Sequence, residues 1–181
     1  MRNRTSLLGF ALFVVAAFGC APKDEAASPS GGAPAGGGVA AGPAPKSLDQ
    51  VASSAPAVLY FVKENCGSNP RAIPLVQSIY EANKDGGKFF VVMNTDEDSA
   101  ARWAQANGAT FPIIADPNKE IIGRYGIRSS QTGILVDKDL NETKRFAGFG
   151  RDVLEDMNAS LAEGGTAATV DLSGAPASGA G

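Results

Sequence analysis

The sequence predicts an α/β fold in which a central mixed β-sheet is flanked by α-helices. Two observations predict it. Between residues 47 and 163, apolar runs of strand length alternate with segments whose apolar residues recur at helical spacing. The predicted order is strand, helix, strand, helix, extended segment, helix, strand, strand, helix. That order implies one mixed sheet with helices packed against it.

The first half of this region is predicted to contain two buried strands, each followed by a helix. The runs AVLYFV (57–62) and KFFVVMN (88–94) are continuously apolar, which suits strands covered on both faces. Residues 66–84 and 95–107 show helical spacing. The acidic start of the second helix could hold a metal ion, but carboxylates that cap a helix and face its positive end need no ion.

The second half is predicted to contain a short extended piece, a short helix, a hairpin and a closing helix. Residues 111–116 are extended and 118–125 form the short helix. The apolar run at 134–136 and the returning run at 144–149 flank a polar turn, as in a β-hairpin. Residues 151–163 carry apolar side chains on one helical face.

The N-terminal segment predicts export. Residues 1–19 begin with Arg2 and Arg4 and continue as an apolar run that is too short to span a bilayer, which is typical of a signal peptide. The run ends at Gly19 before Cys20, which resembles a bacterial lipobox whose cysteine is lipidated. A plain secretory signal and an uncleaved anchor are the alternatives, and both also export the chain. We therefore expect a protein of the cell envelope, held to a bacterial membrane through Cys20.

Composition divides the rest of the chain. Residues 20–46 are rich in Ala, Gly, Pro and Ser, so they cannot bury enough apolar surface to offset the entropy of ordering and are expected to form a flexible linker. Residues 47–165 are expected to form the folded domain. Residues 166–181 resemble the linker in composition and are expected to form a disordered tail.

Composition also excludes several functions. The sequence contains no histidine, which rules out a Ser-His-Asp triad and every His-containing metal site. Two cysteines, Cys20 and Cys66, cannot supply a four-thiolate zinc site. The formal net charge of -3 gives no reason to expect nucleic acid as a partner. We expect neither a metal nor another cofactor.

Four pieces of the sequence resemble the thioredoxin-like superfamily, specifically its redoxin (AhpC/TSA, peroxiredoxin-like) branch, over about residues 47–163. The first is the strand 57–62 followed by Cys66 and a helix. The other three are FPIIADPNKEIIGRYGI (111–127), TGILVD (132–137) and KRFAGFG (144–150). The resemblance implies a thioredoxin-like fold, a thiol site at Cys66 and an external thiol or disulfide partner.

The active-site positions of this family are altered. The second cysteine of the Cys-X-X-Cys motif is replaced by Asn69, and Gln131 stands where thioredoxins keep a cis-proline and peroxiredoxins an arginine. Lys63 replaces the Thr or Ser that peroxiredoxins place three residues before their reactive cysteine. Tyr60 stands where the family often has a buried acid or amide. Any thiol chemistry would therefore use one cysteine.

A cysteine at the first turn of a helix is expected to have a lowered pKa, because unpaired N–H groups and the helix dipole favour thiolate. Lys63, and Arg128 if its loop folds beside the thiol, would add positive charge. Ser68 or Asn69 would donate a hydrogen bond to the sulfur. Cys66 is thus the candidate catalytic residue.

Three readings of Cys66 remain open from the sequence. The thiolate could attack a peroxide to give a sulfenic acid, or attack a disulfide to give a mixed disulfide, and both reactions need an external thiol to complete them. In the third reading Cys66 is a small apolar residue of a domain that has lost its redox activity and binds a partner through a groove beside Gln131.

Overall fold

A computed structural model describes residues 47–162 and 167–177 of the chain. The helices and strands, in chain order, are α1 (Leu48–Ser54), β1 (Ala57–Val62), α2 (Asn69–Asn83), a 3₁₀ turn (Lys84–Gly86), β2 (Phe89–Met93), α3 (Glu97–Asn107), β3 (Ile113–Ala115), α4 (Glu120–Arg124), β4 (Thr132–Val136), β5 (Glu142–Ala147) and α5 (Arg151–Leu161).

The five described strands form one mixed sheet in the order β3-β2-β1-β4-β5. Strand β1 lies at its centre, parallel to β2 and antiparallel to β4. Every residue of β1 and β2 is buried, as their continuous apolar runs predict. The fold class predicted from the sequence, a thioredoxin-like mixed sheet flanked by helices, is confirmed.

The two faces of the sheet carry separate cores because side chains alternate along each strand. Tyr60 and its same-face neighbours in β1 pack with apolar residues of α2, α3 and α5. Leu59 and Phe61 face the other way and pack with Val51 of α1 and with residues in and after α4. Trp103, Phe89 and Phe90 are buried in these cores, as their spacing predicts.

Local sequence signals explain the ends of several helices. The acidic start of α3 is a cap: the Asp96 carboxylate accepts the backbone N–H of Ser99 at 2.9 Å. Buried Asp116 accepts the backbone N–H groups of Glu120 and Ile122 at 2.8 and 2.9 Å, which holds the start of α4. These carboxylates have structural partners, so capping accounts for them.

One predicted boundary and one unpredicted helix mark the main differences from the structure. Helix α2 begins at Asn69 rather than at residue 66, because residues 63–68 form two consecutive turns and Pro70, which has no N–H to give, falls in the first turn of the helix. Helix α1 was not predicted at all. The sequence feature that marks the start of α1 is a serine followed three residues later by a glutamine. The side-chain oxygen of Gln50 accepts the backbone N–H of Ser47 at 3.2 Å.

The segment 167–177 packs against the domain, which differs from the loose tail that its composition predicts. Leu172 and Ala175 are buried in the core on the α2 and α5 face. The backbone N–H of Arg151 donates to the carbonyl of Pro176 at 2.8 Å, and the side-chain amide of Asn158 donates to the carbonyl of Ala168 at 2.8 Å. One leucine and a few backbone contacts are enough to order this segment.

We expect Leu172→Ala to lower the free energy of unfolding by about 2–3 kcal/mol, because it removes a buried leucine side chain and leaves a cavity. Urea unfolding followed by circular dichroism measures the change. Thr169→Ala, an exposed position of the same segment, is the control and should change stability little. Equal stability of the two variants would contradict the packing of this segment.

Candidate functional site

Cys66 lies in the loop that joins the end of the central strand, β1, to helix α2. Its backbone N–H donates to Lys63 at 3.3 Å, and its carbonyl accepts the N–H of Asn69 at 3.0 Å. The residue is half-buried. The strand-to-helix position predicted for Cys66 is confirmed, although the cysteine precedes the first helical residue, Asn69, instead of lying within the helix.

The thiol is surrounded by hydrogen-bond donors. Its Sγ lies 3.1 Å from the Oγ of Ser68. The Ser68 hydroxyl is the main reason why the pKa of Cys66 is lowered, and the Ser68 backbone N–H and the side chains of Ser130 and Gln131 lower it further, while burial of the thiol opposes them. Neutral donors thus favour the thiolate.

The positive charges expected at the site lie on exposed side chains. Lys63 and Arg128 are both exposed, and neither is among the groups that shift the pKa of Cys66. Solvent screens exposed charges, whereas a hydroxyl in contact with sulfur acts at full strength. Ser68, Ser130 and Gln131 lower the pKa of Cys66, and the expectation that Lys63 and Arg128 support the thiolate stays a prediction.

Asn69, at the position of the missing second cysteine, makes its hydrogen bonds to the loop and not to the sulfur. Its Nδ2 donates to the carbonyls of Lys63 and Glu64 at 2.9 and 3.0 Å. Its Oδ1 accepts from Nε2 of Gln131 at 2.7 Å. Both ends of the amide are occupied, so of the two residues expected to bond the sulfur, Ser68 does so and Asn69 does not.

Gln131 is held rigidly behind the thiol. Its side chain is 0% exposed, and its backbone has a left-handed φ of 60°. That conformation costs a non-glycine residue about 1–2 kcal/mol. The backbone is fixed on both sides: its N–H donates to Phe61 at 2.9 Å, and its carbonyl accepts from Gly148 at 2.8 Å. These contacts place Nε2 at 3.4 Å from the Oγ of Ser68.

Ser130 and Trp103 belong to the site but were not predicted to. The Ser130 hydroxyl accepts the backbone N–H of Lys63 at 3.0 Å, and the Ser130 side chain contributes to the lowered pKa of Cys66. The indole of Trp103 donates to the carbonyl of Glu64 at 3.2 Å. Ser130 could have been suspected as a hydroxyl next to Gln131, whereas no sequence pattern marks the Trp103 contact.

The described residues contain neither a metal-binding cluster of side chains nor a helix that could cross a membrane. Within residues 47–162 and 167–177, no group of three or more His, Cys, Asp or Glu side chains is placed to hold a metal ion. No helix in the described part of the chain is long and apolar enough to cross a membrane. Cys20, the predicted signal peptide and the predicted linker lie outside the described residues.

Ser68→Ala should raise the pKa of Cys66, because it removes the donor that favours the thiolate most. At pH 6 less thiolate would remain, so alkylation by iodoacetamide should slow about three- to tenfold, while rates at pH values above both pKa values should converge. Ser53→Ala, an exposed serine of α1, is the control. Identical pH profiles for Ser68→Ala and the unsubstituted protein would contradict this role.

A mixed sheet with a thiol between its central strand and the following helix defines a thioredoxin-like protein. A family model described as "AhpC/TSA family" matches residues 37–144. The match covers more than half of the chain, so the chain belongs to the AhpC/TSA family, within the thioredoxin-like redoxin superfamily.

Similar proteins and structures agree with this assignment. The chain is 27% identical over 85 residues to the thiol-disulfide oxidoreductase ResA of Bacillus thuringiensis (46% of this chain, 49% of that protein). It is 28% identical over 98 residues to ResA of Geobacillus kaustophilus (53% and 55%). The chain thus spans about half the length of the curated relatives it matches. A solution structure of a thioredoxin-like protein in the oxidized form shares the fold, with 18% identity and a TM-score of 0.51 over 59% of this chain and 78% of the other.

Proposed function

We propose that this protein is an exported, membrane-tethered thiol oxidoreductase in which Cys66 is the only nucleophile and exchanges disulfide bonds with an external partner. The observation that carries the proposal is the half-buried Cys66 thiol in contact with Ser68 and with its pKa lowered by neutral donors. A lowered pKa increases the thiolate fraction at a given pH, and a half-buried sulfur is reachable, and both favour thiol–disulfide exchange. The similarity to thiol-disulfide oxidoreductases supports the same activity.

The proposed reaction has two steps. The Cys66 thiolate attacks one sulfur of a partner disulfide, which forms a bond between Cys66 and that sulfur and releases the other sulfur as a thiolate. An external thiolate then attacks the partner's sulfur in the mixed disulfide, which releases the Cys66 thiolate and leaves a new disulfide between the partner and the external thiol. Because Asn69 occupies the second cysteine position, the external thiol must complete the cycle.

Disulfide exchange fits this site better than peroxide reduction. The Arg and the Thr or Ser that the sequence comparison expects in a peroxidatic site are replaced by Gln131 and Lys63. Gln131 is buried and already donates to Asn69 and Ser68, while Lys63 is exposed. The donors that remain at the sulfur stabilise a thiolate, which both reactions need, so the two replaced residues are what favours disulfide exchange.

The groove in the binding-module alternative is not supported at the expected place. Gln131 is 0% exposed and both of its backbone groups are bonded, so its side chain does not line a surface groove. A partner at this end of the sheet would instead meet the exposed loop around Cys66, where Lys63, Glu64 and Asn65 are exposed. That arrangement is compatible with a partner held by a mixed disulfide.

The proposed chain organisation follows the sequence. Residues 1–19 direct export, lipidated Cys20 ties the protein to a membrane of the cell envelope, and residues 20–46 hold the domain of residues 47–165 away from it. Such a tether confines the thiol to partners near the membrane and raises its effective concentration toward them. Of the predicted tail, residues 166–181, the described segment 167–177 packs against the domain.

Mass spectrometry of Cys66 tests the function. With Cys20→Ser protein, a small disulfide such as oxidised glutathione should add one of its halves to Cys66, and a small thiol added afterwards should remove it. In parallel, hydrogen peroxide without thiol is used to detect a sulfenic acid. A mixed disulfide that forms and resolves supports the proposal. An unmodified thiol would contradict it, and a sulfenic acid without a mixed disulfide would favour peroxide reduction.

A further inference from the structure

The amide groups behind Cys66 have only one possible orientation. Carbonyl oxygens can only accept, so Asn69 must turn its Nδ2 toward the carbonyls of Lys63 and Glu64. Its Oδ1 therefore faces Gln131, which must present Nε2 to it. The Oε1 of Gln131 is consequently turned away from Asn69. It is buried and has no hydrogen-bond partner among the described residues.

A second buried polar atom in the same part of the core also has no such partner: the hydroxyl of Tyr60. Tyr60 is 0% exposed and lies in β1, where it is paired with Gly133 of β4. Gln131 precedes Gly133 by two residues, and its N–H bonds the carbonyl of Phe61, next to Tyr60. Gln131 directly precedes β4, so its backbone lies beside the end of β1 that carries Tyr60.

The hydroxyl of Tyr60 and the Oε1 of Gln131 can pair as hydrogen-bond donor and acceptor. A carboxamide oxygen can only accept a hydrogen bond, and a phenol hydroxyl can donate one. Burial raises the pKa of Tyr60, and the nearby Cys66 thiolate raises it further, so the phenol keeps its hydrogen over the whole working pH range. Tyr60 can therefore serve as a donor but not as a base toward Cys66.

We propose that Tyr60 is a positioning residue for Cys66: its hydroxyl donates to the Oε1 of Gln131 through one water molecule and so holds Nε2 toward Asn69 and Ser68. The inference rests on the proposed function, because positioning these donors matters only if the Cys66 thiolate reacts. It assigns a role to the tyrosine that occupies the position six residues before the cysteine. Without this bond the Gln131 amide is held by Asn69 alone, and its donor is less firmly positioned beside the Ser68–Cys66 pair.

The test compares Tyr60→Phe with Tyr80→Phe, both in Cys20→Ser protein. Tyr80, a half-buried tyrosine of α2, undergoes the same chemical change away from Gln131 and is the matched control. Alkylation of Cys66 is measured from pH 5 to 10. Tyr60→Phe should lower the rate at pH 6 about threefold, which is the effect of a pKa raised by about half a unit. Tyr80→Phe should leave the profile unchanged.

A third variant shows whether the effect passes through Gln131. In a Gln131→Leu background, where no Oε1 remains, Tyr60→Phe should have no further effect on alkylation. An equal effect in both backgrounds would overturn the positioning role, as would a Tyr60→Phe profile identical to that of the parent protein. Thermal unfolding confirms that the variants are folded.

Nuclear magnetic resonance separates this inference from the proposed function. The side-chain amide resonances of Gln131 should shift in Tyr60→Phe and not in Tyr80→Phe, whether or not Cys66 is reactive. In the unsubstituted protein the Tyr60 hydroxyl proton should exchange slowly and lie close to the Gln131 side chain. Unshifted resonances together with a fast-exchanging hydroxyl would overturn the inference, whereas an ordinary thiol pKa in the parent protein would overturn only the proposed function.

Discussion

Replacing Cys66 with Ser is expected to abolish disulfide exchange, with turnover at least about a thousandfold lower than in the parent protein, because a serine hydroxyl stays protonated and is a far weaker nucleophile toward sulfur. The substitution is nearly isosteric in a half-buried loop position. The domain should therefore fold normally, and the loss should reflect chemistry. Reduction of a small fluorogenic disulfide by an added thiol, with and without protein, measures the effect.

The other cysteine provides the matched control for that experiment. Cys20 lies in the segment outside the described residues, and the proposal gives it an anchoring role and no chemical step. Cys20→Ser protein in solution should keep full exchange activity. Activity that survives in Cys66→Ser, or disappears in Cys20→Ser, would contradict the assignment of Cys66 as the nucleophile.

Asn69→Cys should convert the single thiol into an internal dithiol. The Asn69 N–H donates to the Cys66 carbonyl at 3.0 Å, which makes residues 66–69 a tight turn. In such a turn the first and fourth Cα atoms lie within about 7 Å, close to the range of about 4.4–6.8 Å found across disulfides. The oxidised variant should lose two hydrogen masses and resist alkylation. Its mixed disulfide with a partner should resolve internally without an external thiol, and two external thiols are then needed to reduce the bridge between residues 66 and 69.

Asn69→Ser is the control that separates disulfide formation in Asn69→Cys from the loss of the Asn69 hydrogen bonds. Both substitutions leave the carbonyls of Lys63 and Glu64 and the amide of Gln131 without their partner, and each should destabilise the domain by about 2–3 kcal/mol. Only Asn69→Cys should form the bridge. Two free thiols after mild oxidation of this variant would contradict the turn geometry between Cys66 and the helix.

The sequence predicts the sheet and the place of the thiol well because both depend on strong local signals. Continuous apolar runs such as 57–62 and 88–94 form strands only when both faces are covered, which fixes the centre of the sheet. A strand followed by Cys66 and a helix with Pro70 in its first turn places the sulfur at the strand-to-helix junction. The hairpin follows equally from its polar turn, where Asp137 accepts the N–H groups of Asp139 and Asn141.

The remainder depends on contacts between distant parts of the chain. The side chain of Gln131 reaches Ser68 and Asn69 from a backbone in the left-handed conformation. Nothing about a glutamine in the sequence predicts that conformation. The positions of Lys63 and Arg128 in the sequence suggest a charged site, but both side chains are exposed in the structure. The segment 167–177 packs through Leu172, and composition alone cannot weigh one buried leucine against many small residues.

The central claim is that neutral hydrogen-bond donors hold Cys66 as a thiolate, and it is tested most directly by the pH profile of Cys66 alkylation in Cys20→Ser protein, recorded at low and high salt. The exposed charges nearest in the chain, on Lys63, Glu64 and Arg128, would be screened at high salt, whereas hydrogen bonds from Ser68, Ser130 and Gln131 would not. We predict half-maximal reactivity well below the pH typical of a free thiol, about 8.5, at both salt concentrations. A midpoint at that ordinary value, or a low midpoint that returns to it in high salt, would contradict the account.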